Sequence, residues 1–138
     1  MSHFRLEFMK EKYFNRNIDS ELSLWKKEAD HKPLLLRGAR QVGKSSSVRK
    51  LGDSFDYFIE VNLEKDRKAH LVFAGDLDVK EICSNLAVQF KTPIIPGKTL
   101  LFLDEIQACP NAISALRFFY EDYPELQNLF FYFFTKNV

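Results

Sequence analysis

Short apolar runs alternate along this chain with segments of helical periodicity. The runs predicted to be strands are residues 34–37, 55–61, 100–103 and 129–134. The run at 100–103 is apolar at every position, which is typical of a parallel strand buried on both faces. Because predicted strands alternate with predicted helices, the chain is expected to fold as a three-layer α/β domain with a mostly parallel sheet.

The segments between these strands carry helix signals. Helices are predicted at residues 21–29, 63–74, 77–90 and 112–120, and a further helix can begin after residue 45. Asp19 or Ser20 can cap the first helix. Gly75 is expected to close the second, and Asp78 lies at the start of the third.

The loop after the first of these strands fits the phosphate-binding pattern G-x-x-x-x-G-K-[ST]. Its residues are Gly38, Ala39, Arg40, Gln41, Val42, Gly43, Lys44 and Ser45, and Ser46 completes the predicted cofactor-binding set. Glycines at the two bends let successive backbone N–H groups point at phosphate oxygens. Lys44 is predicted to bind the β- and γ-phosphates, and Ser45 to place its hydroxyl on Mg²⁺. The plainer alternative is an ordinary glycine-rich turn.

Two acidic residues follow the apolar run at 100–103. Asp104 is predicted to hold the Mg²⁺, directly or through water, and Glu105 to orient and deprotonate an attacking water. Alone this pattern is weak, but about 60 residues after a phosphate loop it favours a nucleotide site over a purely structural carboxylate pair. Asn62 ends another predicted strand. It either faces a ligand at the carboxyl edge of the sheet or forms a turn with its own backbone.

Composition limits the number of domains and the cellular context. The chain has 138 residues, of which 46% are hydrophobic and 14 are Phe, so it can form one domain with a substantial core. Cys83 and Cys109 lack the paired spacing of a zinc site and are expected to be buried, reduced thiols. The first residues contain no continuous apolar segment, which predicts neither a secretory signal nor a membrane span and favours the cytoplasm.

Charge is distributed unevenly along the chain. Residues 1–50 contain 12 Lys or Arg and six Asp or Glu, whereas residues 51–138 contain eight and 13, giving net charges of +6 and −5. A basic phosphate-binding end and an acidic metal-binding end within one domain account for this difference. Nucleic-acid binding is possible but unsupported, because it would favour a denser basic stripe with interleaved aromatic residues.

Longer stretches around both motifs resemble the AAA-type ATPases of bacteria and archaea, especially a group that usually carries an uncharacterised C-terminal domain. The resemblance lies in PLLLRGARQVGKS, FIEVNLE and GKTLLFLDEIQACPNAISALRFFYEDYPEL, together with Arg16, Ile18 and Asp19. These three residues either lie against an adenine or simply begin a helix. The resemblance covers about residues 16–126, and LRGARQVGKS and LFLDEIQ are far more specific than the two short motifs alone.

The resemblance implies ATP and Mg²⁺ as ligands and hydrolysis of ATP as the ancestral activity. Lys44 and Ser45 would bind phosphate and Mg²⁺, Asp104 would hold the metal, and Glu105 would activate water. Asn62 resembles the polar residue with which some AAA-type enzymes hold that glutamate inactive until a partner binds. A protein partner or a homo-oligomer is therefore expected. The predicted division is an N-terminal extension and helix at 1–30, followed by a partial AAA-type domain at 31–138.

The resemblance ends near residue 126. The family continues with a strand of small residues that carries a polar sensor, whereas this chain has bulky aromatic residues at 129–134, so neither Thr135 nor Asn137 is assigned as the sensor. A C-terminally truncated domain is expected. Arginines from a lid or a neighbouring subunit normally meet the γ-phosphate charge, and Arg40 and Arg117 are expected to be solvated or structural instead. The isolated chain is therefore expected to bind ATP–Mg²⁺ weakly and to hydrolyse little ATP.

Three functions of different classes remain open at this point. The leading one is an ATPase module that couples its nucleotide state to a partner or to a missing domain. The second is a small-molecule or nucleotide kinase on the same fold, which would need an acceptor pocket and a lid. The third is a non-catalytic fragment with an incomplete sheet and a tendency to aggregate. A GTPase is disfavoured because the base-reading motif N-K-x-D is absent.

Overall fold

A computed structural model describes the backbone of residues 10–13, 18–27, 34–38, 44–123, 125–126 and 129–134. Side chains are described for residues 20, 22–27, 46–123 and 125–126. Within these residues no helix is both long enough and apolar enough to cross a membrane.

Within the described residues, five parallel strands form one sheet in the order β1-β2-β5-β4-β3. They are β1 (Lys10–Tyr13), β2 (Leu34–Gly38), β3 (Tyr57–Asn62), β4 (Thr99–Asp104) and β5 (Leu129–Phe134). Four of them confirm the predicted strands to within two residues at either end. The strand β1 was not predicted, because its sequence KEKY has neither an apolar run nor alternation.

In the part of the chain that the structure describes, four α-helices connect the strands: α1 (Ile18–Lys27), α2 (Lys44–Gly52), α3 (Val79–Phe90) and α4 (Pro110–Asp122). Asp78 caps α3 as predicted, since its carboxylate accepts hydrogen bonds from the backbone N–H groups of Lys80 and Glu81. The helix α1 begins at Ile18, so Asp19 and Ser20 lie inside its first turn and do not precede it.

The predicted helix at 63–74 is wrong for its first part. A turn follows β3, and only Arg67–Phe73 is helical, as a 3-10 helix. The side chain of Asn62 bonds the backbone N–H groups of Glu64 and Lys65, which fixes a turn where the predicted helix would have started. Asp66 then accepts a hydrogen bond from the backbone N–H of Ala69 and starts the 3-10 helix. Local side-chain bonds of this kind compete with helix formation.

Two buried clusters lie on opposite faces of the sheet, which makes the domain three layers deep. On one face Leu101 and Leu103 of β4 pack with residues of α3 and α4. On the other face Leu100 and Phe102 of β4 pack with residues of α1 and α2, including Trp25. All six residues of β4 are buried, as expected for a strand covered on both faces. The sheet therefore confirms the predicted α/β class.

Both cysteines are free and buried, as predicted. They belong to the same cluster as the helices α3 and α4. Burial raises the pKa of the Cys83 thiol to about 12 and also raises the pKa of Cys109. A thiol with a raised pKa stays protonated at neutral pH, so neither cysteine is a nucleophile in the folded chain.

Replacing Gly52 with Ala is expected to destabilise the domain, although Ala is normally the better helix residue. A Cβ at this position would lie 2.7 Å from both Cγ and Cδ1 of Phe58, at the base of the ring, where the side chain cannot swing away. Overpacking of this kind costs about 1–3 kcal/mol, more than the gain of about 1 kcal/mol in helix propensity. Urea unfolding measures the change. The loss should shrink when Phe58→Leu is also present, and an equal loss in both backgrounds would rule out the steric cause.

Candidate functional site

The carboxyl ends of the parallel strands lie at one edge of the sheet, where the predicted site residues Gly38, Asn62 and Asp104 end β2, β3 and β4. Asn62, the last residue of β3, pairs in register with Asp104, the last residue of β4. Gly38 ends β2, and β5 lies between β2 and β4. Two strand spacings separate β2 from β4, or about 10 Å. The phosphate-loop strand and the acidic strand therefore end close to each other.

Asp104 is buried, with 3% of its surface exposed. Its backbone carbonyl accepts a hydrogen bond of 2.9 Å from the N–H of Leu63, just after β3, which holds the two strand ends together. The residues Leu100 and Phe102 face α1 and α2, and side chains alternate along a strand, so Asp104 is on that same face. A carboxylate on this face lies on the same side of the sheet as α2.

Glu105 has an unusual backbone conformation. Its φ is 55° and its ψ 48°, in the left-handed region, which costs a non-glycine residue about 1–2 kcal/mol. It is 2% exposed, and its Oε1 accepts a hydrogen bond of 2.9 Å from Nε2 of Gln107. The carbonyl of Glu105 also accepts the N–H of Ala108, which begins the short 3-10 helix Ile106–Ala108. A strained, buried acid beside Asp104 is consistent with a functional role, because such strain is concentrated at active sites.

Asn62 has the turn-forming arrangement that the sequence left open. Its Oδ1 accepts hydrogen bonds from the N–H groups of Glu64, at 3.0 Å, and Lys65, at 3.1 Å. The same residue lies at the carboxyl edge and in register with Asp104, so the turn explains its position without a ligand. Its role as a switch acting on Glu105 stays a prediction.

The phosphate-loop motif lies at the start of α2. Lys44 and Ser45 are its first two residues, so the partial positive charge of the helix N-terminus is at this point. Ser46 is exposed. The predicted contacts of Ala39, Arg40, Gln41, Val42 and Gly43, and those of the Lys44 and Ser45 side chains, lie outside the described residues.

The donor set fits Mg²⁺ bound together with a nucleotide. Among the described side chains no three His, Cys, Asp or Glu residues form a cluster that could hold a metal alone. Mg²⁺ in phosphate sites is usually held by one or two carboxylates with phosphate oxygens and water, not by an all-protein cage. One buried carboxylate at Asp104 and a hydroxyl at the start of α2 are oxygen donors of that kind.

A family model described as AAA domain matches residues 30–133. The chain belongs to this AAA domain family. Searches of curated proteins and of solved structures found no match to the chain. The matched region contains both the phosphate loop and the Asp104–Glu105 pair, and it confirms the predicted AAA-type, nucleotide-binding module on a P-loop α/β fold. The narrower group, the truncation and the division at residue 30 stay predictions.

One polar contact in the AAA domain was missed by sequence analysis. Arg49 of α2 and Glu60 of β3 form a bidentate ion pair, with 2.8 Å between Nε and Oε1 and 3.1 Å between Nη2 and Oε2. The available signal was an acidic residue in the middle of a strand that is otherwise aromatic and aliphatic. Its partner could not be identified without knowing that α2 crosses the face on which Glu60 lies.

A cleft of about 410 Å³ lies between α1 and α2. Its lining includes Lys26, Lys27 and Lys50, with Leu22 and Leu51. The three lysines lie near the C-terminal ends of α1 and α2, whereas Ser47, which also lines the cleft, lies three residues after Lys44.

Proposed function

We propose that this AAA domain binds ATP with Mg²⁺ and couples its nucleotide state to a protein partner or to another copy of the chain. The topology carries the proposal: β2, which leads into the phosphate loop, and β4, which leads into the buried Asp104 and Glu105, end at one edge of a parallel sheet. The family match over both segments supports it. Open α/β sheets bind ligands at this edge.

Each candidate residue has a distinct role in this proposal. The residues 38–46 wrap the phosphates, with Lys44 supplying a positive charge and the α2 N-terminus supplying N–H donors. Ser45 and Asp104 hold Mg²⁺, which neutralises phosphate charge when bound. Glu105 orients a water molecule and accepts its proton.

Coupling to a partner would pass through the segment after β4. Glu105 leads directly into the 3-10 helix Ile106–Ala108 and then into α4, so a shift of its strained backbone would move the start of α4. Asn62, in register with Asp104, would sense the same shift from β3. A protein partner, or a second copy of the chain, would recognise the moved surface. The location of this protein in the cytoplasm stays a prediction.

Hydrolysis by the isolated chain is expected to be slow. Arg117 is the arginine on α4, but its Nε donates to Glu121 Oε2 at 2.8 Å, and the pair is exposed to solvent. An arginine held this way on its own helix is not directed at a phosphate. Arginine fingers contribute about 10³–10⁵ in rate, so a partner that supplies one would accelerate the reaction greatly.

The first experiment is calorimetric titration of the chain with ATP, with and without Mg²⁺, and with GTP. Binding of ATP that tightens when Mg²⁺ is added supports the proposal. Absence of binding at millimolar ATP would overturn it. A separate assay of ADP formation tests the alternative kinase function, because ADP formed only when a small-molecule acceptor is added would identify phosphoryl transfer in place of hydrolysis.

Replacing Glu105 with Gln is expected to lower ATP turnover by about 10²–10⁴-fold, since the amide cannot accept a proton from water. The affinity for ATP–Mg²⁺ should change little, because the side chain keeps its size and its acceptor for Gln107. Single-turnover hydrolysis and equilibrium binding measure the two effects. The matched control is Glu121→Gln, which removes an exposed carboxylate of α4. Equal turnover in both variants would contradict the assigned role of Glu105.

A further inference from the structure

The ion pair between Arg49 and Glu60 joins α2 to β3, the strand next to the one that ends in the proposed metal ligand. Both contacts of the pair are within hydrogen-bond distance, at 2.8 and 3.1 Å, so the guanidinium and the carboxylate meet face to face. Arg49 lies in the last turn of α2, and Glu60 lies on β3. The Glu60 side chain is 21% exposed, whereas that of Arg49 is 58% exposed. The pair is partly shielded on the side of the strand.

The position of Glu60 relative to Asp104 follows from the strand register. Asn62 pairs with Asp104 and Glu60 pairs with Phe102, so Glu60 and Asp104 are diagonal neighbours on adjacent strands. Both are on the face covered by α2, because Phe102 packs with α2 and Glu60 bonds Arg49. Diagonal neighbours are separated by about 7–8 Å, which is within reach of a long arginine side chain.

Arg49 is already within electrostatic range of Asp104. Its pKa is raised mainly by the hydrogen bond to Glu60 and then by the charge of Glu60; burial lowers it, and the charge of Asp104 raises it by the smallest amount. The guanidinium therefore has two carboxylates nearby. In the structure it makes its bidentate contact with Glu60.

A guanidinium that turned to Asp104 would compete with a metal ion. Arginine is always charged, and its fork of donors matches the two oxygens of a carboxylate. A carboxylate paired in that way has less negative charge and fewer lone pairs to offer Mg²⁺. An arginine so near a proposed metal ligand must therefore be held elsewhere if the metal is to bind well.

We propose that Glu60 is a positioning residue that holds Arg49 away from Asp104 and so keeps Asp104 available for the Mg²⁺ of a bound nucleotide. This inference rests on the proposed function, because it assigns Glu60 and Arg49 to the same site. It differs from a simple tie between α2 and β3. If the ion pair only joined α2 to β3, losing either residue would have the same effect. In the proposed role, Arg49 weakens Mg²⁺ binding at Asp104 only when Glu60 is absent.

The test is the Mg²⁺ concentration that half-saturates the tightening of ATP binding, measured by calorimetric titration. Four proteins are compared: wild type, Glu60→Gln, Arg49→Gln and the double variant. The Glu60→Gln variant should need about five- to tenfold more Mg²⁺, as expected for one unshielded charge near the metal. Arg49→Gln and the double variant should stay within about twofold of wild type, because the competing guanidinium is gone. Binding of metal-free ATP should be unchanged in all four.

Two further variants guard against effects on folding. Glu60→Asp keeps a carboxylate and should restore the Mg²⁺ requirement to within about threefold of wild type. Arg117→Gln removes a similar exposed ion pair on α4 and should leave the requirement unchanged. Thermal unfolding without nucleotide shows that each protein is folded. If Glu60→Gln does not fold, Glu60→Ala takes its place and should show the same rise in Mg²⁺ requirement, which Glu60→Ala/Arg49→Gln should reverse.

Equal Mg²⁺ requirements in Glu60→Gln and Arg49→Gln, whether both are raised or both are normal, would overturn the inference. A double variant with as high a Mg²⁺ requirement as Glu60→Gln would also overturn it. That result would show that the link between α2 and β3 matters and the free guanidinium does not. Wild-type binding that is insensitive to Mg²⁺ would refute the proposed function, and the inference with it. If wild type binds ATP in a normal Mg²⁺-dependent way, a contrary result in the variants refutes only the role of Glu60 and leaves the proposed function standing.

Discussion

Replacing Lys44 with Ala is expected to weaken binding of ATP–Mg²⁺ by about 30- to 100-fold, equivalent to about 2–3 kcal/mol. Lys44 is the first residue of α2, where the phosphate loop ends and the helix N-terminus begins. Removing its ammonium leaves the phosphate charge to the backbone N–H groups, the helix dipole and Mg²⁺. Calorimetric titration of the variant measures the loss directly, and a smaller loss is expected for ADP, which offers Lys44 only the β-phosphate.

Lys50→Ala is the matched control for this prediction. Lys50 lies on the same helix, is exposed and belongs to its last turn, so its removal changes the net charge equally without touching the loop. Its affinity for ATP should stay within about twofold of wild type. If Lys44→Ala bound ATP as well as Lys50→Ala, the phosphate loop would not be the nucleotide site.

The parts of the fold that sequence predicted are those in which local pattern and burial agree. Continuous apolar runs identified β2 and β4 because strands covered on both faces leave no position for polar residues. The acidic pair after β4 was placed at the carboxyl edge by the same logic. Asp78 was identified at the start of α3 because a short polar side chain there satisfies backbone N–H groups.

The parts that sequence missed depend on partners distant along the chain. The strand β1 has a polar sequence, and it is a strand because its backbone pairs with β2 at the edge of the sheet. The segment after β3 has helical composition, but Asn62 accepts hydrogen bonds from the N–H groups of Glu64 and Lys65 and so forms a turn in place of the first part of the predicted helix. The pattern of apolar and polar residues does not show whether such local side-chain hydrogen bonds or a helix will be more stable.

The candidate site shows the same limit. Sequence motifs named Lys44, Ser45, Asp104 and Glu105 from their spacing, since each type of side chain serves a known step in phosphate chemistry. The left-handed backbone of Glu105 has no sequence signal, because it arises where β4 turns directly into a 3-10 helix. The pairing of Arg49 with Glu60 likewise requires the crossing of α2 over β3, which only the topology gives.

Replacing Phe102 with Ala is expected to destabilise the domain by about 3–5 kcal/mol. The Phe102 ring is completely buried in β4 and packs in the cluster with α1 and α2. Its removal takes apolar surface from the core and leaves a cavity that a sheet paired on both sides cannot close. Because domains have only about 5–15 kcal/mol of stability, a large part of the folded population is at risk. Urea unfolding followed by circular dichroism measures the change.

Phe118→Ala is the control, because the same side chain is removed from a position on α4 that is 37% exposed. It should cost about 1 kcal/mol or less, since less apolar area is lost and solvent fills the space. Phe102 also lies two residues before Asp104 on the same strand, so its loss loosens the face that carries the metal ligand. Saturating ATP–Mg²⁺ should therefore raise the free energy of unfolding of Phe102→Ala less than that of wild type, because linkage stabilises a folded state in proportion to the logarithm of its affinity. Equal destabilisation by the two variants would show that β4 is not the centre of this core.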